Sequence, residues 1–555
     1  QKKATAPEIL MLTFTNKAAK EMKERITRLT SASSVNATPY AGTFHALSAK
    51  LLRMYGNQIG IPSNFVIYDT QDQKQAMKHV LTDLGVSQKQ YHPGAILGTI
   101  SNAKNELITS DQYAQFARGT YQAVVAQAYR AYQKLLRRNT ALDFDDLLIQ
   151  TVTLLKEHQR TQTFGHAKFQ YVLVDEYQDT NHAQYTLTKL LSAHSGNICV
   201  VGDASQSIYA WRGADYRNIT QFTSDYPDTK IFHLEQNYRS TQTILDSAFA
   251  VISKNTTHPI LSLWTDNPAG SRVTVYEASN EQSEALYILD QITQKDISFK
   301  DAAILYRTNA QSRTLEEVLL HEGIPYTLVG GVSFYERKEI RDILAYLRLV
   351  INPDDSVALE RIEKIGKKRA QAFLNQVERL QKINETTNLL SEIFAITNYL
   401  SLFNADDEQD LERLENIKEL QSVAQEFPDV IYFLENVSLM ESAYTPRAMR
   451  DQANSDAITL MTMHAAKGLE FRAVFLVGME EGLFPHSRAL FSNDELEEER
   501  RLCYVGITRA KEYLYLTHAR RRLYFGTRTQ NMVSRFIAEI PEKLLEVSAS
   551  RDYLE

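Results

Sequence analysis

Only two cysteines, Cys199 and Cys503, occur in 555 residues. That is too few for a disulfide framework or a four-ligand zinc site and points to a reducing, cytoplasmic setting. Proline (13) and glycine (21) are too sparse for collagen-like, mucin-like or low-complexity chains. No stretch approaches the roughly 18 apolar residues of a membrane span, and no signal peptide is visible. A basic excess is missing too. Lys and Arg number 61 against 68 Asp and Glu, a net −7, so any nucleic-acid contact has to come from local patches. Residues 405 to 441 hold eleven Asp/Glu and two Lys/Arg, and residues 500 to 535 hold nine Lys/Arg and one Glu, which suggests two faces of opposite sign. The chain opens on Gln1 and not Met, so its natural start is expected upstream.

What is present is an ordinary globular composition, 43% hydrophobic and 23% charged, in a chain long enough for about three or four domains. The run Ile9 to Phe14 predicts a strand buried on both faces, followed by a helix from Lys17 to Leu29 with Asn16 as its N-cap. The same grammar returns at Tyr171–Asp175, Ile198–Gly202, Ala302–Tyr306 and Ala473–Val477. Strands interleaved with helices predict an α/β fold with enough strands for two parallel sheets. Two stretches, from about 72 to 165 and from about 342 to 455, show helical periodicity alone, and each is expected to interrupt an α/β domain.

Adjacent carboxylates at Asp175 and Glu176 end a buried strand, where ligands sit in open α/β sheets. One suits Mg²⁺ through its water shell and the other suits a proton from an attacking water. After the next strand come Gln206, Tyr209, Trp211 and Arg212, a polar group able to sense a terminal phosphate beside aromatic faces for unstacked bases. Gln236-Asn-Tyr-Arg239-Ser and Gly506-Ile-Thr-Arg509-Ala each set an Arg among small polar residues. His45, His464 and His486 lack paired Cys/His spacing, so no zinc site is expected.

Read in order, Leu12-Thr-Phe-Thr-Asn-Lys-Ala-Ala, Gly42-Thr-Phe-His, Leu142-Asp-Phe-Asp-Asp, Val174-Asp-Glu-Tyr-Gln-Asp-Thr-Asn and Gly202-Asp-Ala-Ser-Gln-Ser-Ile-Tyr-Ala-Trp-Arg-Gly-Ala resemble successive motifs of the UvrD/PcrA/Rep helicases of superfamily 1. Glu235-Gln-Asn-Tyr-Arg-Ser, Leu305-Tyr-Arg-Thr-Asn-Ala-Gln-Ser-Arg, Met461-Thr-Met-His-Ala-Ala-Lys-Gly-Leu-Glu-Phe and Tyr504-Val-Gly-Ile-Thr-Arg-Ala continue the series.

The resemblance implies two RecA-like motor domains, each interrupted by a helical insertion. The first spans 1–71 and 166–240 around an insertion at 72–165, and the second spans 241–341 and 456–555 around a short insertion at 342–455. It further implies that Asp175 binds Mg²⁺ and Glu176 polarises the hydrolytic water. Gln206, Arg239 and Arg509 would surround the γ-phosphate of ATP, Tyr238 would stack on adenine, and Glu470 would hold the ribose with Lys467 nearby. ATP would lie between the motor domains, and hydrolysis would open and close them. Phe14, Tyr209, Trp211, Arg212 and Phe525 look like base or sugar contacts, and Thr43, Arg307, Asn309 and His486 look like backbone or groove contacts. His464 would couple the nucleotide and DNA sites, and the turn at Gly366 resembles a duplex contact. The activity implied is 3′ to 5′ translocation on single-stranded DNA and unwinding at junctions, in repair, replication or recombination and alongside proteins of those processes.

One departure is an absence. No G-x-x-x-x-G-K-[ST] occurs in the sequence, and in this family that phosphate loop precedes the Leu12-Thr-Phe-Thr segment. A chain without it is expected to hydrolyse ATP poorly. The competing readings are a truncated helicase, a non-hydrolysing single-strand-binding protein of the same descent, and a helicase–nuclease subunit, for which the chain past Arg509 is too short.

Overall fold

Strand β1, Ile9–Thr13, forms where the sequence runs apolar, with Leu10 and Leu12 fully buried. In the computed structural model, which describes residues 4–30, 38–88, 90–158, 169–405, 407–443, 456–524 and 527–550, the chain divides into two units, Gln1–Ile231 and Phe232–Glu555. The break falls at 231/232 and not at 240/241. Residues 236 to 241 are tied to the second unit: Asn237 N–H donates to Trp264 O, Ser240 Oγ to Ala510 O, and Thr241 N–H to Lys511 O.

The first unit is built on a parallel sheet of four strands in the order β2-β1-β5-β6, with β2 at Tyr40–Thr43, β5 at Tyr171–Val174 and β6 at Ile198–Val200. The helix after β1 spans Asn16–Thr30, and its cap is Thr15, whose Oγ1 accepts from Ala18 N–H, one residue before the expected Asn16. Between β2 and β5 the helices Thr70–Asp83, Pro93–Asn105, Ser110–Phe116 and Thr120–Arg138 enclose a core of their own around Met77, Val80, Ile100, Tyr129 and Tyr132. A two-stranded pair, β3 (Val66–Ile67) with β4 (Ala141–Leu142), closes that insertion. The helix Phe144–Glu157 was expected inside it but returns to the sheet, because Leu148, Val152 and Leu155 bury against Leu10, Leu12 and Phe44. At the junction Lys104 is fully buried with its Nζ 2.6 Å from Asp143 and 2.8 Å from Asp146. Removing the lysine would strand two buried carboxylates, a change that costs about 3–5 kcal/mol.

The second unit carries a parallel sheet of seven strands in the order β15-β7-β12-β11-β8-β10-β9. These are β7 Val273–Ala278, β8 Ala302–Tyr306, β9 Tyr326–Val329, β10 Ile458–Thr462, β11 Phe471–Leu476, β12 Ala510–Ala519 and β15 Leu545–Ala549. A small antiparallel pair, β13 (Arg522–Tyr524) and β14 (Thr527–Thr529), follows β12. The second insertion is not a separate body. One apolar core runs from Ile304, Tyr306 and Phe475 of the sheet through Ile343 and Leu347 to Phe373, Leu389 and Phe433 of the insertion helices.

Both long charge runs bury part of their charge in pairs. The acidic helix Glu408–Glu426, expected as a solvated face, buries Glu415, Asn416 and Glu419. Glu419 accepts from Arg313 Nε at 2.7 Å, and Asn416 from Arg337 Nη1 at 2.7 Å. The basic run 500–535 is likewise paired: Arg500 with Glu497, Arg522 with Glu284 and Glu480, and Arg535 with Glu481. Cys199 is exposed on β6 and Cys503 is buried, with burial pushing its thiol pKa up. Among the described residues no helix is long and apolar enough to cross a membrane.

Candidate functional site

Because the four strands of the first unit are parallel, their carboxyl ends share one edge. Phe14 follows β1, Thr43 ends β2, Asp175 and Glu176 follow β5, and the segment from Val201 follows β6. Asp175 is anchored through its backbone N–H to Leu12 O at 2.9 Å. Glu176 sits at φ 53°, in the left-handed region that a non-glycine residue rarely occupies, a strain typical of residues held for function.

The side chain of Glu176 is fixed by Gln178, a fully buried residue that sequence reasoning passed over. Gln178 Nε2 donates to Glu176 Oε2 at 2.5 Å, and Gln178 Oε1 accepts from Asp203 N–H at 3.0 Å. Asp203 Oδ2 in turn accepts from Gln206 Nε2 at 2.9 Å, so Glu176 and Gln206 are the two ends of one hydrogen-bonded chain. Gly202 makes room for it: a Cβ there would lie 2.7 Å from Gln178 Oε1. A DExQ spacing ahead of a strand ending in Gly-Asp is the signal that could have found Gln178.

The same segment carries the aromatic surface. Phe14 stacks on Tyr209 with ring centroids 5.4 Å apart, and Tyr209 meets Trp211 edge-on at 6.4 Å, with Trp211 47% exposed. Phe14 is thus half-buried in a platform and is not a core residue. Arg212 ends the short turn Ala210–Arg212, its side chain being outside the described part, as is Phe525 altogether. Thr43 differs from expectation. It is buried, and its Oγ1 accepts from Ala46 N–H as the N-cap of the helix Phe44–Tyr55, so its hydroxyl is committed to the fold.

In the second unit the sequence-derived residues separate to opposite ends of the sheet. At the amino end of β11 and β12, Arg239 Nε donates to Glu470 Oε2 at 2.7 Å and its Nη1 to Thr508 O at 3.1 Å. Lys511 Nζ holds the other Glu470 oxygen at 2.9 Å. These hydrogen bonds from Arg239 and Lys511 hold the Glu470 carboxyl well below its ordinary range, at about 2. Arg509 lies against the same Thr508: its Nη2 donates to Thr508 Oγ1, while Nε and Nη1 donate to Val505 O and Leu469 O. Tyr238 is 80% exposed and its hydroxyl donates to Gln236. Arg239, Arg509, Glu470 and Tyr238 are therefore neighbours.

At the carboxyl end of the same sheet stand Arg307 and Asn309 after β8 and His486 after β11. Arg307 Nε donates to Glu499 at 2.8 Å, and Gln311 Oε1 accepts from the N–H groups of both Arg307 and Thr308. His486 is buried, with its Nε2 3.2 Å from Glu415. The segment 463–470, which holds His464 and Lys467, runs from the carboxyl end of β10 to the amino end of β11 and so joins the two edges. Gly478, at the end of β11, has φ +67°, and a Cβ on it would lie 2.5 Å from Gln311 Nε2. Gly478→Ala is expected to destabilise the second unit by about 2–4 kcal/mol through left-handed strain and overpacking, read as a lower midpoint in thermal unfolding.

Two family models cover these segments. The UvrD/REP helicase N-terminal domain matches residues 1–227, and the UvrD-like helicase C-terminal domain matches 232–382 and 364–521. Curated proteins named ATP-dependent DNA helicase PcrA are similar along nearly the whole chain. The Bacillus subtilis protein is 43% identical over 98% of this chain and 81% of its own length. The Leuconostoc citreum protein is 43% identical over 98% and 80%, and that of Staphylococcus aureus 42% over 99% and 82%.

Proposed function

The chain belongs to the UvrD/REP helicase family, and from that premise we propose that it is an ATP-dependent DNA helicase, translocating 3′ to 5′ on single-stranded DNA and separating duplex ahead of it. In this reading Glu176, oriented by Gln178, takes the proton of the attacking water. Asp175 would hold Mg²⁺ through its water shell, which suits an all-oxygen, half-exposed carboxylate at a strand end. The ion, when bound, supplies charge neutralisation at the terminal phosphates. Gln206, Arg239 and Arg509 serve the γ-phosphate, Tyr238 the adenine, and Glu470 with Lys467 the ribose side.

One observation carries the coupling of ATP to movement. Gln206 and the Tyr209/Trp211 platform lie on a single short stretch whose start is bonded to Glu176 through Gln178 and Asp203. A shift of Gln206 with the state of the phosphate is then a shift of the surface on which bases stack. The single strand uses Phe14, Tyr209, Trp211, Arg212 and Phe525 as stacking and sugar contacts, with Arg307, Asn309 and His486 on its backbone. The helices Ser356–Ile365 and Lys367–Leu374, joined at Gly366, offer a duplex contact through Lys367 and Lys368. Repair, replication or recombination is the cellular setting, with junction DNA and the proteins of those processes as partners.

The alternative is a protein of the same descent that binds single strands without hydrolysing ATP. Strand-displacement assays with 3′-tailed and 5′-tailed duplexes, run with phosphate release, separate the two. ATP-dependent unwinding of the 3′-tailed substrate alone is the expected result. Tight single-strand binding with no phosphate release would sink the helicase reading in favour of the second.

A further inference from the structure

Resting on the reading of Arg307 and His486 as single-strand contacts, we infer that Glu499 is a positioning residue for both of them. The two residues leave the sheet from different strands, Arg307 after β8 and His486 after β11, yet one carboxylate binds both. Arg307 Nε donates to Glu499 Oε1 at 2.8 Å and to Oε2 at 3.1 Å, and His486 N–H donates to Glu499 Oε2 at 2.8 Å. Glu499 stands on the helix Asn493–Ile507 and is 5% exposed, so its charge is matched by these two loops and not by water.

Arginine loses much of its rotamer freedom when it is fixed on a ligand. Holding Nε on a buried carboxylate removes most of that loss beforehand and sets the plane of the guanidinium. The His486 ring is set in the same way. Nδ1 accepts from Arg488 N–H at 3.4 Å, which leaves the ring proton on Nε2 for Glu415. Glu415 belongs to the helix Glu408–Glu426 of the insertion, so the acidic stretch takes part in aiming a strand contact. The polynucleotide phosphate is the ligand this arrangement fits: a planar cation and a peptide segment held a fixed distance apart by a group that never touches the ligand.

The test is fluorescence anisotropy of a labelled oligothymidylate with the full chain, over a series of KCl concentrations, without nucleotide. Arg307→Ala is expected to weaken binding on the order of tenfold, and to flatten the slope of log affinity against log salt by about 0.7, one phosphate contact. Glu499→Gln, which keeps the shape and loses the charge, should reproduce both changes. The double variant should be no weaker than either single one, because the two act as a unit. Glu499→Gln binding like the parent while Arg307→Ala is weakened, or effects of the two that add, would overturn the inference. So would a lowered melting temperature in Glu499→Gln with affinity and slope unchanged. If Arg307→Ala itself binds like the parent, the strand-contact reading of Arg307 fails, and the inference with it.

Discussion

Glu176→Gln lowers single-strand-stimulated ATP hydrolysis by about 10²–10⁴-fold relative to the parent, the range over which a positioned general base contributes. The substitution keeps size and shape. Its amide oxygen can still accept from Gln178 Nε2, so the hydrogen-bonded chain through Asp203 to Gln206 persists. What is lost is an ionised oxygen able to take a proton. Nucleotide affinity should stay within a few-fold, because Asp175, Arg239, Tyr238 and Arg509 are untouched. Phosphate release and a fluorescent-nucleotide titration on the same preparations separate the two effects. Hydrolysis at the parent rate would remove Glu176 from the chemistry, and a parallel collapse of nucleotide binding would recast it as a ligand of the metal or the phosphates.

The second large effect belongs to Trp211. Stacking of a base on an aromatic side chain is worth about 1–3 kcal/mol, so Trp211→Ala should cost roughly 5–150-fold in single-strand affinity. Trp211 is 47% exposed and meets Tyr209 only edge-on, so its removal leaves no sealed cavity and the melting temperature should hardly move. Anisotropy with an oligothymidylate, paired with a thermal melt, gives both quantities. A protein that melts early yet binds single strands normally would assign Trp211 to packing.

The parts of the fold legible in the sequence are those whose signal is local. β8, and β11 from Ala473 onward, are buried on both faces, while β1 and β5 alternate buried with half-buried residues, and all four read as apolar runs. β15 buries only Leu545, so Leu-Glu-Val-Ser-Ala carries too little apolar character to be seen as a strand. The carboxylates at the end of β5 and the polar and aromatic residues after β6 were legible because a parallel sheet places strand ends together. Their partners were not. Gln178 meets Asp203 only because β5 and β6 pair with Val172 opposite Ile198, a register that periodicity does not encode.

Charge was the least legible property. A linear sum over 405–441 is blind to Arg313, which reaches Glu419 from 106 positions away in the chain. A sum over 500–535 is equally blind to the Glu284 and Glu480 that enclose Arg522. Each run is in part the separated half of buried ion pairs, Glu419 in the one and Arg522 in the other, while Glu426, Asp429, Arg521 and Arg528 stay exposed. The residues expected as nucleotide contacts and those expected as strand contacts form two clusters in the second unit, one at each end of β11, because Glu470 precedes that strand and His486 follows it.

The contrast between the two cysteines has a practical corollary. With Cys503 sealed in the interior and Cys199 open on an edge strand, maleimide chemistry on the native chain addresses one thiol without prior mutagenesis. A dye there would sit on β6, a few residues ahead of Gln206, and its emission would report on that strand's end as nucleotide or oligonucleotide is added.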